Sequence, residues 1–456
     1  MSEPHTEREF AIEVVRRLRE AGYEALWAGG CVRDELLGLT PKDYDVATDA
    51  RPEQVQRLFR RTIAIGASFG VIAVIGPRPF TIEVATFRSD VSYSDGRRPD
   101  AVVFSTARED ALRRDFTING MFFDPLTNAL HDYVGGRADL DARILRAIGD
   151  PAARFSEDKL RMLRAVRVAT RFDLAIELQT SAAIERMAPQ IGVVSAERIA
   201  DELQKTLILP GRARGMRLFM DLGLAEPLIP ELVPMRGLPQ GAPAAPTGDL
   251  WEHVLRVLDL LGREPSFPLA FAALLHDIGK PRTVGRTPDR YTFYGHEHVG
   301  KRLTGEIALR LRLSNDDRER AEWLVEKHQI LCDVRQMRTS KLKTLLIHPG
   351  IRELIDLHRA DALASGRGIE HVEYCEQLLR EWSMADLNPP PLLTGHDLAR
   401  GGLTPGPLFK RLLEAVREAQ LEGTIKSAKD ARELVERLLR EGVSSEAEVS
   451  PPESPG

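Results

Sequence analysis

Asp43 and Asp45, in the stretch "KDYDVAT", are two carboxylates separated by a single residue. On an extended strand such a pair faces one side, with Cα atoms about 6 to 7 Å apart. It can converge on one or two hard divalent cations while Tyr44 points into the opposite layer. Two-metal phosphoryl transfer needs oxygen ligands around ions about 3.5 to 4 Å apart, and Mg2+ favours carboxylates together with phosphate oxygens. Glu83, in "FTIEVATF", is the best-placed third carboxylate from a neighbouring strand. Taken alone, Asp-x-Asp reads also as a solvated surface pair.

Three further groups bear on that choice. Gly29 and Gly30 follow a strand-like run, so their backbone can approach a ligand and their amides can face phosphate oxygens. Arg33, just beyond, can add charge-assisted contacts to the same triphosphate. Downstream, Glu157, Asp158, Arg161, Arg164 and Arg167 form "EDKLRMLRAVR". Neighbours three apart on a helix stay adjacent, so Asp158 and Arg161 point together, an acceptor and a donor suited to the edge of a base. The bland alternative is a solvated face with i,i+3 and i,i+4 ion pairs.

A separate cluster is histidine-rich. Seven of the eleven histidines lie between Trp251 and Asp361. His253, the step His276-Asp277, His296, His328 and Asp361 are imidazoles and carboxylates on several predicted helices, a donor set for divalent transition metals that activate water for phosphoester hydrolysis. His298 reads as a neighbour of that site or as exposed. His5, His131, His348, His358, His371 and His396 read as structural.

The elements that must position these groups follow from periodicity. Residues 7 to 21 form an amphipathic helix with Phe10, Val14, Val15 and Leu18 on one side. "YEALWAGG" is a strand ending at the glycines, "CVRDELLG" a helical segment closed by Gly38, "KDYDVAT" a second strand and "PEQVQRLFR" a helix. "FGVIAVIG" and "FTIEVATFR" make a strand pair. A polar loop from Ser89 to Ala101 precedes "DALRRDFTINGMFFD". From about Pro151 β-character disappears, and "SEDKLRMLRAVRVATRF" opens a long helical region. "GLPQGAPAAPTG", Gly237 to Gly248, reads as a linker or exposed loop. A mostly helical block runs to about residue 380, "NPPPLLTGHDL" marks a break, and a last helical segment spans about Pro407 to Glu441. The tail "SSEAEVSPPESPG" reads as disordered.

At 456 residues the chain is expected to hold two to four domains. No run approaches eighteen apolar residues and the N-terminus lacks an apolar signal core, so a cytoplasmic protein with no membrane partner is expected. Cys31, Cys332 and Cys375 share no metal or redox spacing, and each reads as a buried small apolar residue. The net charge of -5 does not announce a nucleic-acid binder, yet residues 151 to 171 carry six basic residues against two acidic ones. That local positive stripe is what phosphates feel.

"GGCVRDELLGLTPKDYDVAT", "LRRDFTINGM" and "SEDKLRMLRAVR" occur in the order and spacing of the class II tRNA nucleotidyltransferase and bacterial poly(A) polymerase family, which the first 170 or so residues resemble. The resemblance implies an α+β protein: an N-terminal polymerase beta-like mixed-sheet head, then an all-helical neck, an HD domain and a tail. The implied divisions are 1–148, 149–236, 249–380, 381–441 and a disordered 442–456. It implies that Asp43 and Asp45 bind catalytic Mg2+, to which the strand reading adds Glu83 as a further catalytic carboxylate. It places Gly29, Gly30, Arg33 and Arg114 at the incoming nucleotide and Asp115 and Asn119 near the ribose. Asp158, Arg161, Arg164 and Arg167 would select the base in place of a nucleic-acid template. The reaction implied is attack of an RNA 3'-hydroxyl on the α-phosphate of CTP or ATP, on a tRNA acceptor arm, with no obligate protein partner.

The histidine series resembles the HD phosphohydrolase superfamily, which implies a second divalent ion such as Mn, Ni or Fe at His253, His276, Asp277, His296, His328 and Asp361. The fused arrangement resembles bacterial CCA-adding enzymes. An A-adding nucleotidyltransferase, a poly(A) polymerase, or an HD phosphohydrolase with an inactive N-terminal module are the alternatives. The 89–101 loop, with Asp95, Arg97 and Arg98, speaks against CC-only addition, and the acidic tail against a poly(A) polymerase.

Overall fold

A computed structural model of the chain describes residues 6–66, 70–77, 79–90, 102–242 and 245–441, without the side chains of 66, 90, 102, 241, 242 and 245–247. The expected loop from Ser89 to Ala101 lies almost wholly outside the described residues, and the tail 442–456 does so entirely.

The first 150 residues form a mixed sheet flanked by helices. Its strands run in the spatial order Thr62–Gly66, Val71–Ile75, Thr81–Thr86, Asp45–Thr48, Ala25–Ala28, Phe122–Asp124, Ala129–His131. All pairings are antiparallel except that of Asp45–Thr48 with Thr81–Thr86. Ala25–Ala28 is central and buried on both faces, so its four apolar residues alternate between two cores. Ala25 and Trp27 join the large core under the first helix, whereas Leu26 and Ala28 join a smaller one with Ala47, Phe87 and Phe122.

That first helix, Glu7–Glu20, starts at a Thr6 capping box with Glu9 and buries Phe10, Val14, Val15 and Leu18 as their spacing requires. The second strand begins only at Asp45. Asp43 therefore sits in the bend before it, while Tyr44 packs against Trp27 with ring centroids 4.8 Å apart and gives its hydroxyl to Glu35 at 2.7 Å.

Beyond residue 150 the chain is mainly helical, with three corrections to the sequence reading. The long helix expected across "SEDKLRMLRAVRVATRF" is two, Pro151–Glu157 and Leu160–Phe172, parted at Asp158, whose backbone is extended. Its side chain accepts from the Leu160 amide at 3.0 Å and thereby starts the second helix. The expected linker Gly237 to Gly248 forms a hairpin, Pro239–Ala242 with Ala245–Asp249, so β-structure does not end at Pro151. Short strand pairs at Ile144–Leu145 with Ala175–Ile176 and at Gly285–Arg286 with Tyr291–Thr292 add to it. The last segment is split into Pro407–Glu422 and Ala428–Arg440, packed around a small core of its own. Among the described residues, no helix is long and apolar enough to cross a membrane.

Cys31 and Cys375 are buried as expected, but Cys332 is exposed because its short 3-10 segment, Ile330–Gln336, turns only Leu331 and Val334 inward.

Candidate nucleotide and metal sites

Where the head sheet meets the helix Leu160–Phe172, a cavity of about 480 Å3 opens. It gathers Gly29, Gly30, Arg33, Asp43, Asp45, Arg114, Asp115, Asn119, Arg164 and Arg167 from segments as far apart as 138 positions in the chain. Arg113, Val168, Arg171 and Phe172 line it too and carried no sequence signal that singled them out.

The carboxylate end is set by strand register. Asp45 stands directly opposite Glu83 across the parallel pair, so the third carboxylate falls beside the first two without lining the cavity itself. Crowding by the protein, together with the charges of Asp43 and Glu83, pushes the Asp45 carboxyl up to about 6. A carboxylate whose proton affinity is raised by two others beside it belongs to a set of hard oxygen donors, which fits a divalent cation.

The opposite wall is cationic and tightly held. Gly29 has φ +74°, a conformation that favours glycine, and a Cβ there would lie 2.8 Å from Arg114 Nη1. Its amide is not turned to the cavity, as the sequence reading supposed, but donates to the Met121 carbonyl. Gly30 opens the helix Gly30–Leu36, where the first-turn amides have no intrahelical partner. Arg33 lies over the Phe172 ring at 4.1 Å, donates to Asp34 Oδ1 through Nε and Nη2 at 2.9 and 2.6 Å, and gives Nη1 to Asn119 Oδ1. Asn119 in turn donates to Asp115 at 3.0 Å. Burial opposes the Asp115 charge, but Arg164, Asn119, Arg161 and the Phe116 amide outweigh it and hold the carboxyl below its usual range.

Asp158 and Arg161 do not line the cavity. The break before Leu160 takes Asp158 off the helical row, and it accepts from Arg198 at 2.7 Å. Arg161 donates to Glu157 at 2.6 Å and to the Arg154 and Arg113 carbonyls. Of the row, Arg164 and Arg167 reach the cavity, the latter with Nε on Glu202 at 2.6 Å.

The histidine block forms a second centre. His253, His276, His296 and His328 are buried, with Nε2 atoms 3.3 Å apart between His253 and His276 and 3.2 Å between His296 and His328. In three of these rings Nδ1 reaches a carbonyl of its own chain at 2.7 to 2.8 Å, Ala273, Phe293 and Val325 respectively. A carbonyl only accepts, so Nδ1 carries the proton and the Nε2 lone pairs point inward together.

Asp277 stands between the pairs, Oδ2 at 3.6 and 3.2 Å from His253 and His276, Oδ1 at 3.3 and 3.6 Å from His296 and His328. Asp361 Oδ1 lies 3.1 Å from His253. Two groups, His253 with His276 and Asp277, and Asp277 with His296 and His328, thus converge as metal ligands do. Burial lowers the basicity of His328; at His276 the charges of Asp277 and Asp361 overcome burial and raise it. His298 points away and is exposed. Gly279, two residues after Asp277, packs so closely against the helix His296–Arg310 that a Cβ would strike the His296 carbonyl and come within 2.9 Å of the Gly300 nitrogen.

Three family models match the chain in turn: the poly A polymerase head domain over residues 25–146, a probable RNA and SrmB-binding site of polymerase A over 173–235, and the HD domain over 250–366. The A-adding tRNA nucleotidyltransferase of Deinococcus radiodurans is 34% identical over 91% of this chain and 96% of its own length. Poly(A) polymerase I of Haemophilus influenzae is 40% identical over 49% of this chain and 51% of its own. The chain likewise spans about half the length of the CCA-adding enzymes it matches. Among solved structures, that of the Bacillus stearothermophilus CCA-adding enzyme in complex with CTP superposes with a TM-score of 0.71 at 25% identity, covering 96% of this chain and 99% of that one.

Proposed function

Because the chain belongs to the family of tRNA nucleotidyltransferases and bacterial poly(A) polymerases, we propose that it adds C, C and A to the 3' end of tRNA, without a template, from CTP and ATP. The observation that carries this reading is that Asp45, paired in register with Glu83, lines one cavity together with Asp43 and six arginines. Asp43, Asp45 and Glu83 would hold Mg2+, which lowers the pKa of the attacking hydroxyl and stabilises the charge of the triphosphate.

The chain's own residues supply the rest. Arg33 and Arg114 bind the triphosphate of the incoming nucleotide, so that the 3'-hydroxyl oxygen attacks the α-phosphorus in line and pyrophosphate leaves. Asp115 and Asn119 face the ribose. Arg164 and Arg167 present donors to the base, and Asp158 and Arg161 join them by exchanging their present partners, Arg198 and Glu157, for the base edge. The helices after residue 150 offer the acceptor arm a surface read by shape and phosphate contact. CTP and ATP are cytoplasmic, and so on this reading is the protein.

The test is incorporation of labelled CTP and ATP into tRNAs lacking the last three, two or one nucleotides. Stepwise completion of all three supports CCA addition. A-addition alone is the second reading, favoured by the match to the Deinococcus A-adding enzyme along nearly the whole chain. In that case only the tRNA lacking its last nucleotide is extended. Long A tails would mark a poly(A) polymerase.

The HD centre is read as a metal-dependent phosphohydrolase of RNA-end phosphates, with His253, His276, Asp277 and Asp361 around one ion such as Mn2+, Ni2+ or Fe2+. His296 and His328, with the second oxygen of Asp277, would hold another. Its test is metal-dependent cleavage of a 2',3'-cyclic nucleotide.

A further inference from the structure

Asp110 lies on the short helix Ala107–Leu112, outside the cavity, and is 2% exposed. Its two oxygens serve two neighbouring arginines separately. Oδ1 accepts from Arg113 Nε and Nη2 at 2.9 and 2.6 Å, and Oδ2 from Arg114 Nε and Nη2 at 3.1 and 2.9 Å. Both arginines line the nucleotide cavity, and Arg114 Nη1 sits on the Asn119 carbonyl and beneath Gly29. Oδ1 also accepts from the Arg88 amide at 3.3 Å, and Arg113 Nε returns to the Arg88 carbonyl at 3.0 Å. One buried carboxylate thus fixes two guanidinium forks and ties them to the strand Arg88–Asp90.

We infer that Asp110 is a positioning residue for the triphosphate subsite, holding Arg113 and Arg114 in one orientation before the nucleotide arrives. The inference rests on the nucleotidyltransferase reading. A planar fork bound along one edge presents its remaining donors in a fixed direction, so little is reorganised when phosphate oxygens meet them. An asparagine is the same size but turns an NH2 toward one of the forks, donor against donor, and releases that arginine.

The experiment measures steady-state CTP and ATP addition by wild type, Asp110→Asn, Asp110→Glu, Arg114→Met and the Asp110→Asn/Arg114→Met double variant, with equilibrium binding of CTP and CMP alongside. Asp110→Asn should raise KM for both nucleotides about tenfold, the worth of one charge-assisted hydrogen bond, with kcat changed less than about threefold. Its affinity for CTP should fall while that for CMP holds, and the double variant should lose less than the sum of the two single losses, the Arg114 share being already gone. Equal loss for CTP and CMP, additive losses in the double variant, or an unchanged KM would overturn the inference. If Asp110→Asn does not fold, the same comparisons are made with Asp110→Glu, which keeps the charge but displaces the forks. A wild type that transfers no nucleotide overturns the nucleotidyltransferase reading instead.

Discussion

Asp34 of the head and Arg171 of the helix Leu160–Phe172 lie 137 positions apart in the chain and 3.1 Å apart in space. The same buried carboxylate holds Arg33, and both arginines lie over the Phe172 ring. The contact therefore joins the Arg33 side of the cavity to the end of the helix that bears Arg164 and Arg167. Arg171→Met should weaken CTP and ATP addition about tenfold in kcat/KM with little change in stability, since this guanidinium is partly exposed. Asp34→Asn leaves a buried guanidinium short of its counter-charge and should cost about 3 kcal/mol of folding free energy. Denaturant unfolding and steady-state kinetics separate the two effects.

At the carboxylate end stability and activity oppose each other. The folded, metal-free protein keeps a proton on Asp45 up to about pH 6, above the 3.8 of a free aspartate. The contribution this group makes to the metal-free fold is thus present below pH 3.8 and lost as the pH rises through 6. Asp45→Asn should raise the unfolding midpoint in EDTA at pH 8 by about 2 to 4 °C while reducing transfer at least about 1,000-fold. In wild type, the Mg2+ needed for half-maximal transfer should rise as the pH falls below 6, because protons compete for the same oxygens.

His358 gives the opposite slope. Burial pulls its imidazole down to about 3 from 6.5, and its Nε2 lies 3.2 Å from the Lys327 carbonyl. Between those values the unfolded chain binds a proton that the folded one refuses. The stability is whole above pH 6.5 and is lost as the pH falls towards 3, by about 1.4 kcal/mol per unit from this group. His358→Asn should flatten that part of the stability profile relative to wild type, measured by urea unfolding between pH 4.5 and 7.

The two centres should separate by mutation. His276→Ala and Asp277→Ala should each weaken Mn2+ or Ni2+ binding at least about 100-fold by calorimetry and abolish cyclic-nucleotide cleavage. Nucleotide addition to tRNA should stay within about twofold of wild type. A wild type that binds neither ion would contradict the metal reading of the histidines.

Binding to tRNA should weaken steeply with salt, log K falling linearly with log salt at a slope of about 0.7 to 0.9 per phosphate contacted. Salt-insensitive binding would argue against an RNA partner.

How much of this was legible in the sequence depended on whether local pattern or distant contact decided it. Asp45 with Glu83 follows from period-two strands and Phe10, Val14, Val15 and Leu18 from period-three-and-four spacing, so both were readable, whereas Asp43 falls in the bend before its strand. The break at Asp158 was not. "FSEDKLR" contains neither proline nor glycine, and the extended residue is held by Arg198, forty positions on. Arg171 ends a row of similar arginines and is singled out only by Asp34, while Arg113 depends on Asp110. The hairpin at 239–249 hid in prolines, glycines and alanines, which carry little strand propensity.

Gly279 bears a consequence of its own. The helix end carrying His276 and Asp277 and the helix opening at His296 meet at the one place where this residue offers no side chain. The spacing between the two halves of the histidine centre is therefore gauged by the thickness of bare backbone. A single added methyl at 279 would act as a shim, parting the two helices and pulling His296 off Asp277 while leaving every ligand chemically intact.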